Sequence, residues 1–199
     1  ADASTNITTI AQTGTGNILF DQTGSQSLAI TNNATTASGN LNLTTAGTLA
    51  IAVTSVTGDM SLTSNGAITD TGTITVSGTT TLASGASNNI DFDTASNNFG
   101  TVIVTNGNNV VLDDTNAIIL GASSVSGTLG VTAGGTISDS GNVAVAGNVT
   151  LTTDANNGVI NMGTLQQSGG DLILVTNGNG AATVVNNAGI DFGTSNVGG

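Results

Sequence analysis

The stretch that decides the fold is residues 55–82, SVTGDMSLTSNGAITDTGTITVSGTTTL, because it returns 69 positions later as residues 124–151, SVSGTLGVTAGGTISDSGNVAVAGNVTL. The two stretches align without a gap, and 12 of their 28 positions are identical. A shorter segment is also repeated, since NNIDFDTASNN (88–98) is similar to GIDFGTSN (189–196). The long internal repeat, over residues 55–123 and 124–193, predicts a repeat architecture.

A shorter phrase recurs inside the long repeat: Gly, one small polar residue, an alternating apolar pair and, in most copies, Thr. It starts at Gly39, Gly58, Gly78, Gly100, Gly127, Gly147 and Gly170. Alternation with a period of two, bounded by Gly and Asn, predicts short strands and turns. We expect Gly at the corners because a positive φ costs it little.

An interval near 20 residues predicts one coil of an all-β fold, a parallel β-helix or β-solenoid, in which coils stack about 4.8 Å apart. Val, Ile and Leu would point inward, and outward Thr, Asn and Ser would stack in ladders on their own kind. The 69-residue repeat would be about three coils, and residues 1–199 would form one segment of about 9–10 coils. A β-sandwich does not need such repeats, and an outer-membrane barrel needs more aromatic residues than four Phe.

The alternation also predicts which side chains form the core. The candidates are Leu41, Leu43, Leu49, Ile51, Leu62, Ile68, Ile74, Val76, Leu82, Val102, Val104, Leu112, Leu129, Val131, Ile137, Val143, Val145, Val149, Leu151, Leu172, Leu174 and Val175.

The composition excludes several classes of function. The chain has no Lys, Arg, His or Cys and a formal charge of −12. It therefore lacks the basic surface that nucleic acids require, the Ser–His and Cys–His pairs of hydrolases and the ligands of zinc sites. No apolar run approaches the roughly 20 residues of a transmembrane helix. We expect no enzyme activity, and no catalytic, cofactor-binding or metal residue.

Aspartate chemistry is the alternative to a chain without sites. Asp113 and Asp114 are the only adjacent acids, and a polysaccharide-active β-helix enzyme would need such a pair. If Phe92 lies over Leu112, Asp93 stacks on Asp113, and a Ca²⁺ ion could relieve the repulsion.

A row of threonines leaves a second remote alternative. Thr71, Thr73 and Thr75 alternate along the sequence, as the residues of an ice-binding solenoid face would. Thr is also a favourable polar residue for any exposed strand, so the row does not require that function.

The phrases GAITDTGTITVSGTTTL and GTISDSGNVAVAGNVTL, with NNIDFDTASNNFGTVIVTNGNNVVL, resemble the tandem repeats of bacterial filamentous-haemagglutinin-like exoproteins. The resemblance implies a right-handed parallel β-helix that is secreted to the bacterial cell surface. It also implies a role in adhesion or biofilm formation, with host or cell-surface ligands as partners.

Two functions follow as expectations. The first is the structural or adhesive shaft of a large exoprotein, without catalysis or cofactor. The second is a subunit that stacks end to end into an extracellular filament. Both ends look uncapped, since the strand-like ADASTNITTI begins the chain and GIDFGTSNVGG closes it without a helix, Pro or charge cluster.

Overall fold

The structure is a computed structural model that describes residues 5–7, 16–22, 28–30, 35–94 and 96–198. The predicted domain of residues 1–199 also includes residues outside these ranges. Within ADASTNITTI only Thr5–Ile7 is described, as a strand, and the rest of that stretch lies outside the described residues.

The described residues form strands and no helix. In chain order the strands are β1 (Thr5–Ile7), β2 (Ile18–Gln22), β3 (Leu28–Ile30), β4 (Thr35–Ala37), β5 (Leu41–Thr45), β6 (Leu49–Ile51), β7 (Thr54–Val56), β8 (Met60–Ser64), β9 (Ile68–Asp70), β10 (Ile74–Ala83), β11 (Ile90–Phe92), β12 (Asn98–Asn106), β13 (Val110–Asp114), β14 (Ile118–Leu120), β15 (Ser123–Val125), β16 (Leu129–Ala133), β17 (Ile137–Asp139), β18 (Val143–Val145), β19 (Val149–Asn156), β20 (Ile160–Gln167), β21 (Asp171–Asn177), β22 (Ala182–Asn186) and β23 (Asp191–Phe192).

The strands stack in parallel as a β-solenoid, which confirms the predicted fold class. It has about 8 turns of about 20 residues, fewer than the 9–10 coils expected. One sheet has ten strands, and each full turn contributes one strand to it. The count of strands therefore matches the expected 9–10 coils only if the short strands β1 and β23, at the two ends of the sheet, are each counted as a turn. The hand of the helix stays a prediction.

The core is built from columns of inward side chains that lie directly over one another. In the ten-stranded sheet one column joins paired residues in the order Leu28, Leu49, Ile68, Ile90, Val110, Leu129, Val149 and Leu172. Each of these is at most 3 % exposed, and burying such a side chain stabilises the fold by about 1.5–3 kcal/mol. The rings of Phe92 and Phe99 are stacked in the same core, with centroids 5.9 Å apart, and both side chains are fully buried.

The predicted core is buried at every position except Val175. In β21 the inward residues are Leu172, Leu174 and Thr176, so Val175 faces outward beside Thr152. The phrase DLILVTNG has three consecutive apolar residues after Leu172, and alternation alone did not fix which of them points inward.

The long repeat is three turns plus a crossing to the other sheet, rather than about three coils. Leu41 lies under Met60 in the thirteen-stranded sheet. Its equivalent 69 positions on, Val110, lies under Leu129 in the ten-stranded sheet. Three turns carry the chain from Leu41 to Val102 through paired residues, and eight further residues bring it to Val110. Each repeat therefore places its five-residue strands on the sheet opposite to those of the previous repeat.

The corner glycines are required mainly by close contact between turns, so the expectation from positive φ was wrong for most of them. Among the described glycines only Gly85, Gly170 and Gly178 have a positive φ. A Cβ on Gly58 would lie 2.3 Å from Asn40 Oδ1, and a Cβ on Gly39 would lie 2.1 Å from a carbonyl oxygen of the preceding turn. Parallel turns approach closely here because the backbone of one corner packs directly on the next.

Candidate functional surfaces

The small polar residue after each corner glycine forms a ladder between turns. Asn40 N–H donates to Asn17 Oδ1 at 2.9 Å, and Asp59 N–H donates to Asn40 Oδ1 at 2.9 Å. Thr79 N–H continues the series to Asp59 Oδ1 at 2.8 Å. The polar ladders expected from the sequence thus exist at this corner, but their acceptors mostly bind backbone N–H groups rather than side chains of their own kind.

The same hydrogen bonds, from a backbone amide to a side-chain oxygen of the preceding turn, continue in the second repeat. Thr128 N–H donates to Asn109 Oδ1 at 3.1 Å, and Asp171 N–H donates to Asn148 Oδ1 at 3.0 Å. Asn and Asp suit this position because a short side chain ending in an acceptor reaches the amide of the next turn. The repeated Gly-Asn and Gly-Asp pairs are therefore structural parts of the stack.

A second corner, at the fifth residue of several strands, holds a buried polar side chain, as at Thr45, Ser64, Asp114 and Thr153. Ser64 Oγ donates to Gly47 O at 2.6 Å, and Thr153 Oγ1 donates to Gly158 O at 3.1 Å. These residues are at most 3 % exposed. The hydroxyls satisfy corner carbonyls that are partly buried at Gly47 and buried at Gly158, as a buried backbone requires.

Asp114 occupies this buried corner position. The carboxylates of Asp113 and Asp114 therefore lie on opposite sides of the strand and do not face a common substrate. Asp114 is 1 % exposed, and its two carboxylate oxygens accept Phe99 N–H at 2.6 Å and Asn116 N–H at 2.8 Å. Burial raises the pKa of Asp114, against these two hydrogen bonds. Asp113 lies on the outward side of the same strand. Asp114 is therefore placed to hold two backbone amides.

The register proposed for the two acid segments is confirmed, since Phe92 pairs with Leu112. Burial raises the pKa of Asp113, and the charges of four acids raise it further, in decreasing order Asp154, Asp114, Asp93 and Asp70. Burial and the charge of Asp93 also raise the pKa of Asp91. Across the ranges that the structure describes, no three acids are arranged to hold a metal ion.

Asp70 and Asn97 form a polar pair inside the solenoid that the sequence did not reveal. Asp70 pairs with the buried Ile51. Asn97, fully buried, donates to Asp70 Oδ2 at 2.7 Å and accepts Ile74 N–H at 2.8 Å. Burial raises the pKa of Asp70, although hydrogen bonds from Asn97 and Thr94 oppose that rise.

The repeat equivalent of Asp70 clarifies this role. Asp139, 69 positions later, accepts Gly163 N–H at 2.8 Å and Thr164 N–H at 2.7 Å in the following turn. Asp70 thus binds the loop before β12, and Asp139 binds backbone amides in the middle of β20. The sequence offered one signal for this role, the Asp that is shared by ITD (68–70) and ISD (137–139) in the two long repeats.

The three alternating threonines do not form a row on one strand. Thr71 and Thr73 lie at the corner before β10, where Thr71 N–H donates to Ile51 O and Thr73 hydrogen-bonds Ser96. Only Thr75 belongs to β10. The regular flat hydroxyl array of the ice-binding alternative is absent from this stretch.

The region of β20 and β22 carries a shallow cavity of about 170 Å³. Its lining includes Asn142, Thr164, Leu165, Val185 and Asn186, and no charged side chain. The lining offers neutral hydrogen-bonding groups and apolar contacts, without a group that could act as an acid or base at neutral pH.

The turn that contains β22 and β23 has an open edge. Among the described residues, β22 pairs only with β20, and β23 pairs only with β21. Phe192 is 66 % exposed and Val185 is 57 % exposed. Phe192 pairs with the buried Leu172 and so occupies an inward position that a following turn would cover, whereas Val185 lies on the outward side of β22.

No helix that could span a membrane is found within the described ranges. Comparison with protein-family models matches residues 38–106 and 107–185 to a family described as repeats of unknown function (DUF5649). The first match is 69 residues long, as is the repeat seen in the sequence, but it begins just before β5 rather than at Ser55. Comparisons with curated proteins and with solved structures found no match.

Proposed function

The chain belongs to this family of repeats, and we propose that it is a structural and adhesive shaft segment of a large exoprotein secreted to the bacterial cell surface. One observation carries the proposal: strand pairing runs without interruption across the boundary between residues 106 and 107. Val110 of the second repeat pairs with Ile90 of the first and with Leu129 above it. Repeats joined in this way add length to one rod.

The forces that hold the stack suit a passive shaft. Apolar columns and ladders of backbone and Asn hydrogen bonds connect every turn to its neighbours, so each added repeat brings its own stabilisation. The sequence has no Lys or Arg with which to form ion pairs. A net charge of −12 keeps neighbouring rods apart in solution through mutual repulsion.

The adhesive part of the proposal rests on the resemblance of the repeats to filamentous-haemagglutinin-like exoproteins. Outward positions carry mostly Thr, Asn and Ser, which offer neutral hydrogen bonds along the length of the rod. Antibodies raised against the chain should bind intact source cells without permeabilisation. Binding only after the cells are opened would contradict the cell-surface location.

The shaft itself is tested by changing its length. About 8 turns at a spacing of about 4.8 Å give a rod of roughly 40 Å. Removing or adding one 69-residue repeat should change the length by roughly 16 Å at constant cross-section, since one repeat contains somewhat more than three turns. Small-angle X-ray scattering measures both quantities. A change in cross-section at constant length would contradict the proposal.

A filament subunit is the second candidate, and the open edge of β22 and β23 favours it. An unpaired parallel edge with an exposed aromatic residue is a template for pairing with another chain. Sedimentation of the purified chain between low and high concentration separates the candidates. The shaft proposal predicts a monomer of constant size, and the filament predicts growth with concentration.

A further inference from the structure

The segment 182–198 reproduces the beginning of both family repeats, although the family match ends at residue 185. The strand β22 has 5 residues, as do β5 and β13, the first strands of the two matched repeats. In each repeat an apolar residue follows the start of this strand after eight positions, at Leu49, Ile118 and Ile190. The spacing therefore aligns residues 182–198 with 41–57 and 110–126 without a gap.

The hydrogen bonds of the two junctions agree at equivalent atoms. Ser123 Oγ donates to Gly121 O at 2.9 Å and accepts Val104 N–H at 3.0 Å. Ser195 Oγ donates to Gly193 O at 3.1 Å and accepts Leu174 N–H at 3.0 Å. In the first repeat Thr54 Oγ1 makes the corresponding bond to Ala52 O at 3.0 Å.

The corner side chain of the first strand is also equivalent. Asp114 accepts Phe99 N–H from the preceding turn at 2.6 Å, and Asn186 Oδ1 accepts Gln167 N–H at 2.7 Å. Asp114 and Asn186 occupy the fifth position of β13 and β22. A carboxylate and an amide oxygen thus each accept a backbone amide of the preceding turn, although the donors Phe99 and Gln167 are not equivalent residues.

Side-chain packing gives a third, independent agreement. A Cβ on Gly121 would lie 2.5 Å from Ile103 Cγ1, and a Cβ on Gly193 would lie 2.7 Å from Ile173 Cγ1. In both places an outward Ile of one turn covers a glycine of the next. Of the 17 aligned positions, residues 110–126 and 182–198 share only Ile118/Ile190, Gly121/Gly193, Ser123/Ser195 and Val125/Val197.

The third repeat also follows the alternation between sheets. The first strand of the matched repeats, β5 and then β13, lies in the thirteen-stranded and then in the ten-stranded sheet, and β22 pairs with β20 in the thirteen-stranded sheet. Correspondingly, β14 covers β12 at the first junction and β23 covers β21 at the second.

From these contacts we infer that residues 182–198 are the first part of a third repeat, and that the open edge of β22 is the docking surface for a following five-residue strand carried on the same polypeptide. Met60–Ser64 docks in this way on β5, and Leu129–Ala133 docks on β13. The occupant would be a parallel strand with apolar first and third residues. The repeat assignment stands on geometry alone, and only the role of the edge rests on the proposed shaft.

A phase-matched extension tests the inference. Because Gly198 is equivalent to Thr57, residues 58–106 joined after Gly198 should continue the solenoid in register. The control joins residues 66–114, which have the same length but place the short strand Ile68–Asp70 where a five-residue strand is needed. Amide hydrogen exchange in Ala182–Asn186 should slow at least tenfold in the matched extension and remain unchanged in the control.

Equal protection by both extensions, or by neither, would overturn the assignment. Protection of the same amides that appears in the unextended chain only at high protein concentration would assign the edge to a second copy and would overturn the choice of occupant. The exchange experiment is independent of where the protein is located. A failed cell-surface location would therefore contradict the proposed function and leave the repeat assignment intact.

Discussion

Thr80 is a buried hydroxyl in an apolar column, and replacing it with Val should stabilise the protein. Thr80 lies between Met60 and Val102 and is fully buried. Its Oγ1 has no hydrogen-bond partner among the described residues. The repeat equivalent, 69 positions later, is Val149, which is also fully buried. The second repeat thus already contains the proposed side chain in the same role.

The magnitude follows from the cost of the unpaired hydroxyl. Val and Thr have nearly the same shape, so Thr80→Val leaves the packing against Met60 and Val102 unchanged. The free energy of unfolding should rise by about 1–3 kcal/mol, the range for relieving a buried polar group without a partner. The reverse change, Val149→Thr, should lower the free energy of unfolding by a similar amount.

Urea unfolding measures both effects, provided that the slope of the transition is the same for all variants. The matched control is Thr81→Val, because Thr81 is partly exposed on the outward side of the same strand. We expect that control to stay within about 0.5 kcal/mol of the parent. An unchanged or lower midpoint for Thr80→Val would refute the reasoning about the buried hydroxyl.

Three further predictions concern acid pH, corner packing and the inner polar pair. Burial raises the pKa values of Asp70 and Asp114, so at pH values just above the ordinary pKa of 3.8 the folded chain binds more protons than the unfolded chain. The midpoint temperature of thermal unfolding should therefore rise as the pH falls towards 3.8. The rise should be smaller in Asp70→Asn, which lacks one of the two groups. Gly58→Ala should cost about 1–3 kcal/mol in urea unfolding, because its Cβ would meet a side-chain oxygen at 2.3 Å, whereas Gly189→Ala, with nothing within 4 Å, should cost nothing. Asn97→Ala should cost about 1–3 kcal/mol in urea unfolding, because it removes the acceptor of the Ile74 amide and one of the hydrogen-bond donors to the half-buried carboxylate of Asp70; a loss below about 0.5 kcal/mol would contradict that role.

The sequence predicted the parallel solenoid and most of the core because both depend on short-range periodicity. Alternating apolar residues fix which side of a strand is inward, and the regular interval between corner glycines fixes the length of a turn. Val175 was assigned wrongly where three apolar residues are adjacent. Phe99 was missed because it follows the loop after β11, where the interval between turns changes.

The relation between turns and repeats required the structure. The period of the long repeat fits three turns with longer loops as well as three turns with a crossing to the other sheet, and only strand register separates these arrangements. The inward orientation of Asp114 was equally hidden, since an acid at the end of VVLDD suggests an exposed corner. Its burial depends on two backbone amides, one of them 15 residues away in sequence.

Spin-label distances test the central claim, the crossing between sheets, most directly. Asn42 and Ile103 lie three turns apart on the outward side of one column, which corresponds to about 14 Å. Val111, the repeat equivalent of Asn42 at 69 positions, lies on the other sheet. With labels on cysteines introduced at these sites, electron paramagnetic resonance should give a shorter distance for the pair 42/103 than for the pair 42/111. A shorter distance for 42/111 would mean that the repeat is a whole number of turns and would contradict the structure.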